Sequence, residues 1–267
     1  MMEDRRNVYL YYKRNSEIEG QLNTIKEFAK NYGFNIVDHY KESNIIVSFG
    51  GDGSFLQAVR NTNFRQDCLY VGVATNRPNS LYSDFSLDDK DKIIEAISSE
   101  QLEVRKYPVL EVSVDGQSSF LCLNECSIRS GIIKTFVIDV WIDDQHFETF
   151  RGDGMLVSTP TGSTAYNKSV NGAVVDPKLP CLQVNELASL NNNKYRTLGS
   201  PFILSNERKL RLQIVQDGND HPIIGIDNEA LSIRHVKNID FKLSEKVIKT
   251  VKLKDNSFWD KVKRTFL

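Results

Sequence analysis

Apolar and polar positions follow two different periods along this chain, and the change from one to the other divides it. Residues 7 to 12, Asn-Val-Tyr-Leu-Tyr-Tyr, read as a buried strand, and Ser16 with Glu19 three positions on has the form of a capping box. Ile18, Leu22, Ile25, Phe28, Ala29 and Tyr32 then recur at helical spacing, with Gly33 where a left-handed C-terminal cap belongs. Further strands are predicted at 34 to 37, 45 to 48 and 69 to 73, a helix after Ser54, and another from Asp88 to about Ser99. Alternating strands and helices of this kind build an α/β domain on a parallel sheet.

From about residue 103 the texture changes to short alternating runs separated by turn residues. Strands are predicted at 107 to 114, 119 to 128, 135 to 142, 146 to 150, 202 to 204, 209 to 215 and 223 to 226. Asp115-Gly116, Asp143-Asp144 and Asp217-Gly218-Asn219-Asp220 supply turns. The lysine-rich stretch 246 to 254 alternates in its later half, which fits an edge strand guarded by solvated lysines. Residues 256 to 267 read as an amphipathic helix that packs back through Phe258, Trp259, Val262 and Phe266. The expected fold is therefore an α/β N-terminal domain with a parallel sheet, followed by a β-rich second domain, with a C-terminal tail returning to the first. The boundaries are 1–102 plus about 250–267 for the first domain and 103–249 for the second.

Composition narrows the classes of function. At 267 residues, 40% hydrophobic and 26% charged, the chain is long enough for two ordinary globular domains. A net charge of −1 lacks the basic field of a nucleic-acid binder. No apolar run reaches the roughly 18 residues of a membrane span, and Met1-Met2-Glu3-Asp4-Arg5-Arg6 leads into no signal-peptide core, so a cytoplasmic protein is expected. Cys68, Cys122, Cys126 and Cys181 show no paired Cys-x-x-Cys spacing for zinc. On one continuous strand Cys122 and Cys126 would share a face about 13 Å apart, too far for a disulfide, so buried free thiols are expected.

Three stretches carry candidate chemistry. Gly50-Gly51-Asp52-Gly53-Ser54 joins an apolar run to a helix start, a place where glycines let a phosphate approach the backbone and the helix N-terminus favours an anion. Asp52 would repel that phosphate unless a metal intervened or the carboxylate took a proton from something; the alternative is a simple helix cap. The run from Arg151 through Ser169 is dense in glycine and hydroxyls, with Ser158, Thr159, Thr161, Ser163 and Thr164 leading into a helix near Ala165; it suits an anionic or hydroxylated ligand, or else is a solvated Ser/Thr loop. Asn124-Glu125 interrupts the apolar run 120 to 128, where the pair must meet a polar partner or solvent. A structural hydrogen-bond pair is its other reading.

In order and spacing, Gly50 to Ser54, Asn124-Glu125, Arg151-Gly-Asp-Gly154 and Ser158-Thr-Pro-Thr-Gly-Ser-Thr-Ala-Tyr166 resemble the NAD kinase family. The resemblance implies transfer of the γ-phosphoryl group of ATP to the 2′-hydroxyl of the adenosine ribose of NAD, giving NADP, in a homodimer or homotetramer, with Mg2+ or another divalent cation carried on ATP. It implies Asp52 as the catalytic base with Gly53 beside it, Asn124 and Glu125 on ribose hydroxyls, and Arg151 and Asp153 on the dinucleotide. Thr164, Ala165, Tyr166, Asn167, Lys168 and Ser169 would line the adenosine half, and Ala188, Tyr195 and, more weakly, His221 would stand near the ligand. A lipid kinase should lack the run Thr161 to Tyr166, and a non-catalytic dinucleotide sensor has no need of Asp52.

One stretch departs from the family pattern. Where the family has a Thr-Gly-His-Leu-Gly-Phe loop, this chain reads Ala74-Thr-Asn-Arg-Pro-Asn-Ser-Leu-Tyr82, without either glycine. The stiffer sequence bears on the choice of phosphoryl donor, and Arg77 is a candidate phosphate contact.

Overall fold

The computed structural model describes residues 6–13, 16–75, 80–215, 222–233 and 235–267. The chain divides into two compact units, Met1–Lys106 with Val247–Leu267, and Tyr107–Lys246. Both changes of unit fall inside strands, Leu102–Val114 and Asn238–Leu253, and not in loops.

The first unit holds a parallel sheet in which Asn35–Ile36, Asn7–Tyr11, Ile45–Phe49 and Leu69–Ala74 lie side by side. Leu69–Ala74 also pairs in parallel with Ser83–Ser86 and, through Tyr70, with Thr250. Helix Ser16–Asn31 follows the first strand and Lys90–Ser98 follows the last of the N-terminal series. Ile18, Phe49, Val73, Phe85, Ala96 and Leu253 form a core, which is why the strands read as nearly continuous apolar runs. The strand predicted at 34 to 37 shrinks to Asn35–Ile36, and Ser83–Ser86, too short and polar to announce itself, is added.

Two expectations for the C-terminal segment are corrected. The stretch 246 to 254 belongs to strand Asn238–Leu253, whose Lys252 is fully buried, so its lysines are not all edge guards. Helix Phe258–Phe266 starts with a capping box between Ser257 and Asp260, but the side chain it buries is Lys261. Trp259 and Phe266 stay exposed. Phe258 and Val262 are half-buried, and an ion pair described below joins them in fastening the helix.

The second unit is built of antiparallel strands. Phe136–Ile142 pairs with Gln145–Gly152 and with Leu210–Ile214, which pairs in turn with Asn238–Leu253. A six-stranded sheet runs in the order Phe202–Ser205, Cys181–Leu187, Gly154–Ser158, Glu125–Arg129, Ile223–Ile226, Glu229–Ser232. Val112, Phe136, Phe150, Met155, Val184 and Phe241 come from both groups of strands and share one core.

The strand predicted at 119 to 128 is two strands, Ser118–Cys122 and Glu125–Arg129, broken at Leu123-Asn124. The break also overturns the separation expected for Cys122 and Cys126: the two buried thiols come within hydrogen-bonding reach, and both remain free. Gly154–Ser158, read above as part of a polar run, is a strand buried at every position.

In the first unit, Phe55 of helix Asp52–Asn61 is buried, stacked on Tyr82 with ring centroids 4.8 Å apart and planes within 6°. Phe55→Ala is expected to cost about 3 to 5 kcal/mol of stability by urea denaturation, because the cavity it leaves cannot close without moving the helix that carries Asp52.

Candidate active site

In the first unit, strand Ile45–Phe49 ends at a glycine turn and helix Asp52–Asn61 begins at once. Gly50 has φ +130, a conformation that excludes ordinary side chains, while a Cβ built on Gly51 or Gly53 meets nothing within 4 Å. The helix is capped by the backbone of Gly51 without a side-chain bond, so Asp52 is not the cap of its own helix. Its carboxylate accepts instead from segment 80 to 82: Oδ1 from the Ser80 hydroxyl and from the Tyr82 N–H at 3.0 Å, Oδ2 from the Leu81 N–H at 3.1 Å. Of the roughly four lone-pair sites of a carboxylate, these donors use three and leave one on Oδ2 among the described residues. The helix N-terminus adds a favourable field for the negative charge. Such a carboxylate is fixed in direction and keeps a site at which to accept a proton.

In the second unit, the break at Leu123-Asn124 is held by a residue that sequence reasoning missed. Asp227 opens the turn between Ile223–Ile226 and Glu229–Ser232 in the left-handed conformation, φ +49, which aspartate tolerates. Its carboxylate accepts from three successive N–H groups, those of Leu123 at 3.1 Å, Asn124 at 2.7 Å and Glu125 at 3.3 Å. An Asp-Asn dipeptide between alternating runs does signal a hairpin. Nothing in its sequence signals which distant N–H groups the carboxylate reaches.

The Ser/Thr run is a buried scaffold and not a solvated loop. Thr159 and Thr161 both donate to the Leu123 carbonyl, at 2.6 and 3.0 Å, and the Thr159 N–H donates to the Asn124 carbonyl at 2.8 Å. A Cβ on Gly162 would collide with that Asn124 carbonyl. The short helix Thr161–Thr164 leads to Tyr166–Ser169, in which Asn167 is fully buried. Asn167 accepts from Ser158 at 3.1 Å and donates to the Ser163 and Ala173 carbonyls at 3.0 and 3.2 Å. Its amide is thus occupied in holding the turn. Ala165 and Tyr166 are half-buried, Lys168 and Ser169 are exposed, and Thr164 is buried with its hydroxyl donating to the Thr161 carbonyl at 3.2 Å.

The Tyr166 N–H lies near the Glu125 carboxyl and favours its charged form, yet Oε2 is buried with no partner among the described residues. Burial, reinforced by the neighbouring Asp227 charge, pushes its carboxyl up to about 8, so that it holds a proton at neutral pH. Nearby in sequence to the remaining candidates, strand Gln145–Gly152 ends with the Arg151 guanidinium 4.2 Å from the centre of the Tyr195 ring. Asp153 is exposed, and its backbone is pinned by a bond from its N–H to the Leu187 carbonyl at 2.9 Å. Ala188 stands next to that carbonyl with φ +49. Arg77, His221 and the turn 217 to 220 lie outside the described residues, as does the Ser16 side chain of the expected capping box. Among the described residues, no three His, Cys, Asp or Glu side chains are grouped to hold a metal ion, and no helix is long and apolar enough to cross a membrane.

A glycine turn presenting an anchored carboxylate at a strand end, and a hydroxyl-built shelf carrying Asn124 and Glu125, are the marks of a nucleotide-binding enzyme of the phosphoryl-transfer class. Comparison with known proteins makes this specific. The family described as the ATP-NAD kinase C-terminal domain matches residues 123–253. The chain is 68% identical over 266 residues to NAD kinase 2 of Bacillus licheniformis and 66% identical over 267 residues to NAD kinase 2 of Bacillus subtilis, covering 100% of each. Its fold is that of yeast NADH kinase, solved with NADH (TM-score 0.79, 18% identity, 98% of this chain and 87% of that one). It is equally that of an NAD kinase from Archaeoglobus fulgidus, solved with ATP (TM-score 0.75, 24% identity, 96% of this chain and 98% of that one). The chain belongs to the NAD kinase family and is an ATP-dependent enzyme that phosphorylates NAD to NADP.

Two outcomes are expected from this geometry. Gly162→Ala should push the Asn124 carbonyl off its bond with Thr159 and weaken NAD binding by roughly tenfold or more in calorimetric titration, about 1.4 kcal/mol or above. Glu125 holds a proton in the folded state up to about pH 8 but loses it near 4.5 when unfolded, so folded protein binds the extra proton between those values. Stability should therefore fall as pH rises through that window, by at most about 1.4 kcal/mol per pH unit from this group. Glu148, pushed up to about 7 by burial, adds to the same slope. Glu125→Gln should flatten the slope in urea denaturation between pH 5.5 and 8.5, leaving the Glu148 part.

Proposed function

We propose that the γ-phosphoryl group of ATP moves to the 2′-hydroxyl of the adenosine ribose of NAD, with Asp52 as the base that takes the hydroxyl proton. As the new O–P bond forms, the bond from the γ-phosphorus to the bridging oxygen breaks and ADP leaves. The observation that carries this reading is the Asp52 carboxylate itself, anchored by three donors yet keeping, among the described residues, one site on Oδ2. Phosphoryl transfer asks for positioning, charge neutralisation and a proton acceptor, and Asp52 meets the first and the last.

The other assignments follow the chemistry of each side chain. Asn124 and the protonated Glu125 pair with ribose hydroxyls, Glu125 through the oxygen that has no partner of its own. Arg151 and Asp153 contact the dinucleotide. Thr164 to Ser169, with Ala188, border the adenosine half, and Tyr166 offers a ring on which the base can stack; within that segment Asn167 acts by holding the turn. Mg2+ or a similar divalent cation arrives on the triphosphate and supplies the charge neutralisation. A homodimer or homotetramer completes the picture, supported by the exposed apolar side chains Phe147, Leu198 and Ile203 on the second unit. The free thiols Cys68, Cys122, Cys126 and Cys181 suit the reducing cytoplasm.

The test is Asp52→Asn in a coupled assay of NADP formed from NAD, ATP and magnesium. General-base help is typically worth about 10²- to 10⁴-fold, so turnover should fall by that factor while the variant still binds NAD in calorimetry. Turnover near the wild-type rate would remove Asp52 from the mechanism.

A further inference from the structure

The proton transfer just described uses nothing from the C-terminal segment, yet three ionisable side chains are buried there together. Asp84 and Lys252 have fully buried side chains and Lys261 is 3% exposed. Lys261 makes a direct ion pair with Asp84, Lys252 stands 3.5 Å from the same carboxylate, and the Leu253 N–H donates to it at 2.8 Å. Burial alone would raise the Asp84 carboxyl, but the two ammonium groups outweigh it and hold it below the ordinary carboxylate range.

A buried ion cluster is a poor device for stability, since apolar side chains of the same volume often do as well or better. Its geometry gives it another use. Besides Asp84, the lysines grip the backbone of the segment just before it: Lys252 donates to the Tyr82 carbonyl, and Lys261 to the Leu81 carbonyl at 2.9 Å and the Ser83 carbonyl at 3.4 Å. The N–H groups of the same two residues, Leu81 and Tyr82, are the ones that hold Asp52. One short strip of backbone therefore has its oxygens fixed by lysine side chains and its N–H groups fixed on the candidate base. Burial and then the neighbouring Lys261 push the Lys252 amine well below its ordinary range, against the opposite pull of the Asp84 and Asp52 carboxylates.

We infer that Lys252 and Lys261 are positioning residues for phosphoryl transfer: by holding the carbonyls of Leu81, Tyr82 and Ser83 they set the direction of the Asp52 carboxylate. The inference rests on the role given to Asp52 above and adds the C-terminal helix to the machinery of the reaction. A misplacement of the base by a fraction of an ångström to an ångström lowers turnover without touching the ligand's own contacts.

The experiment is a double-mutant cycle on the full chain, with NADP formation as the readout and far-ultraviolet circular dichroism confirming each variant's fold. In the Asp52 background, Lys261→Met should lower kcat by roughly 10- to 100-fold and leave KM for NAD within about twofold. In the Asp52→Asn background, followed at high enzyme concentration, the same change should alter kcat by less than about twofold, because there is no base left to position. Lys261→Arg should restore most of the loss. An equal loss in both backgrounds, or wild-type kcat in Lys261→Met, overturns the inference while leaving Asp52 as base. Wild-type turnover in Asp52→Asn alone instead overturns the reading beneath it. Should Lys261→Met not fold, Lys252→Met, which removes the donor to the Tyr82 carbonyl, takes its place in both backgrounds with the same two expectations.

Discussion

Successive backbone N–H groups that lie outside a helix or a sheet ladder need acceptors, and in both units of this protein a single carboxylate supplies them. Asp52 gathers the N–H groups of Leu81 and Tyr82 with the hydroxyl of Ser80. Asp227 gathers those of Leu123, Asn124 and Glu125. A buried N–H left unmade costs about 1 to 3 kcal/mol, so each carboxylate decides whether its segment can hold a non-repetitive shape at all. Everything proposed for the reaction hangs on those two segments. In the first the carboxylate is itself the candidate base, and in the second it shapes the backbone that presents the candidate ribose contacts.

The same constraint explains the composition of the run 158 to 167. A turn with this many buried peptide groups needs short side chains that can donate and accept without occupying volume, and serine, threonine and asparagine meet that need. Thr159 and Thr161 converge on one carbonyl, that of Leu123, and Asn167 spans three partners. Gly162 is there because the Asn124 carbonyl occupies the place of a Cβ. A scaffold of this kind fixes its ligand-facing atoms before the ligand arrives, which is what electrostatic preorganisation requires.

Much of this was legible in the chain. The helical stripe from Ile18 to Tyr32, the apolar runs of the parallel sheet and the glycine turn at 50 to 54 each follow from a local period or a local conformational demand, and local demands are written locally. What was not legible depends on partners far away in sequence. Lys252 reads as a solvated lysine because its ion-pair partner, the carboxylate of Asp84, is 168 positions earlier. The break at Leu123-Asn124 reads as a continuous strand because the carboxylate that holds it open sits at 227. Gly154–Ser158 is hidden for the opposite reason: it belongs to a hydroxyl-rich run whose polar groups are satisfied internally, so polarity there does not mean exposure.

The two candidate carboxylates stand in different surroundings, and the difference matches the work proposed for each. Asp52 is held by donors on both oxygens, so its direction is fixed, as the direction of a base for a sugar hydroxyl should be. Glu125 is buried beside another carboxylate and keeps its proton at neutral pH, with Oε2 unpaired among the described residues. That arrangement costs stability for as long as the oxygen lacks a partner. A ligand hydroxyl arriving at Oε2 relieves the cost, and the relief appears as binding free energy specific to a group that can donate or accept there. An analogue without the hydroxyl leaves the penalty in place. On the role proposed for Glu125, the instability it builds into the second unit is what gives the site its selectivity.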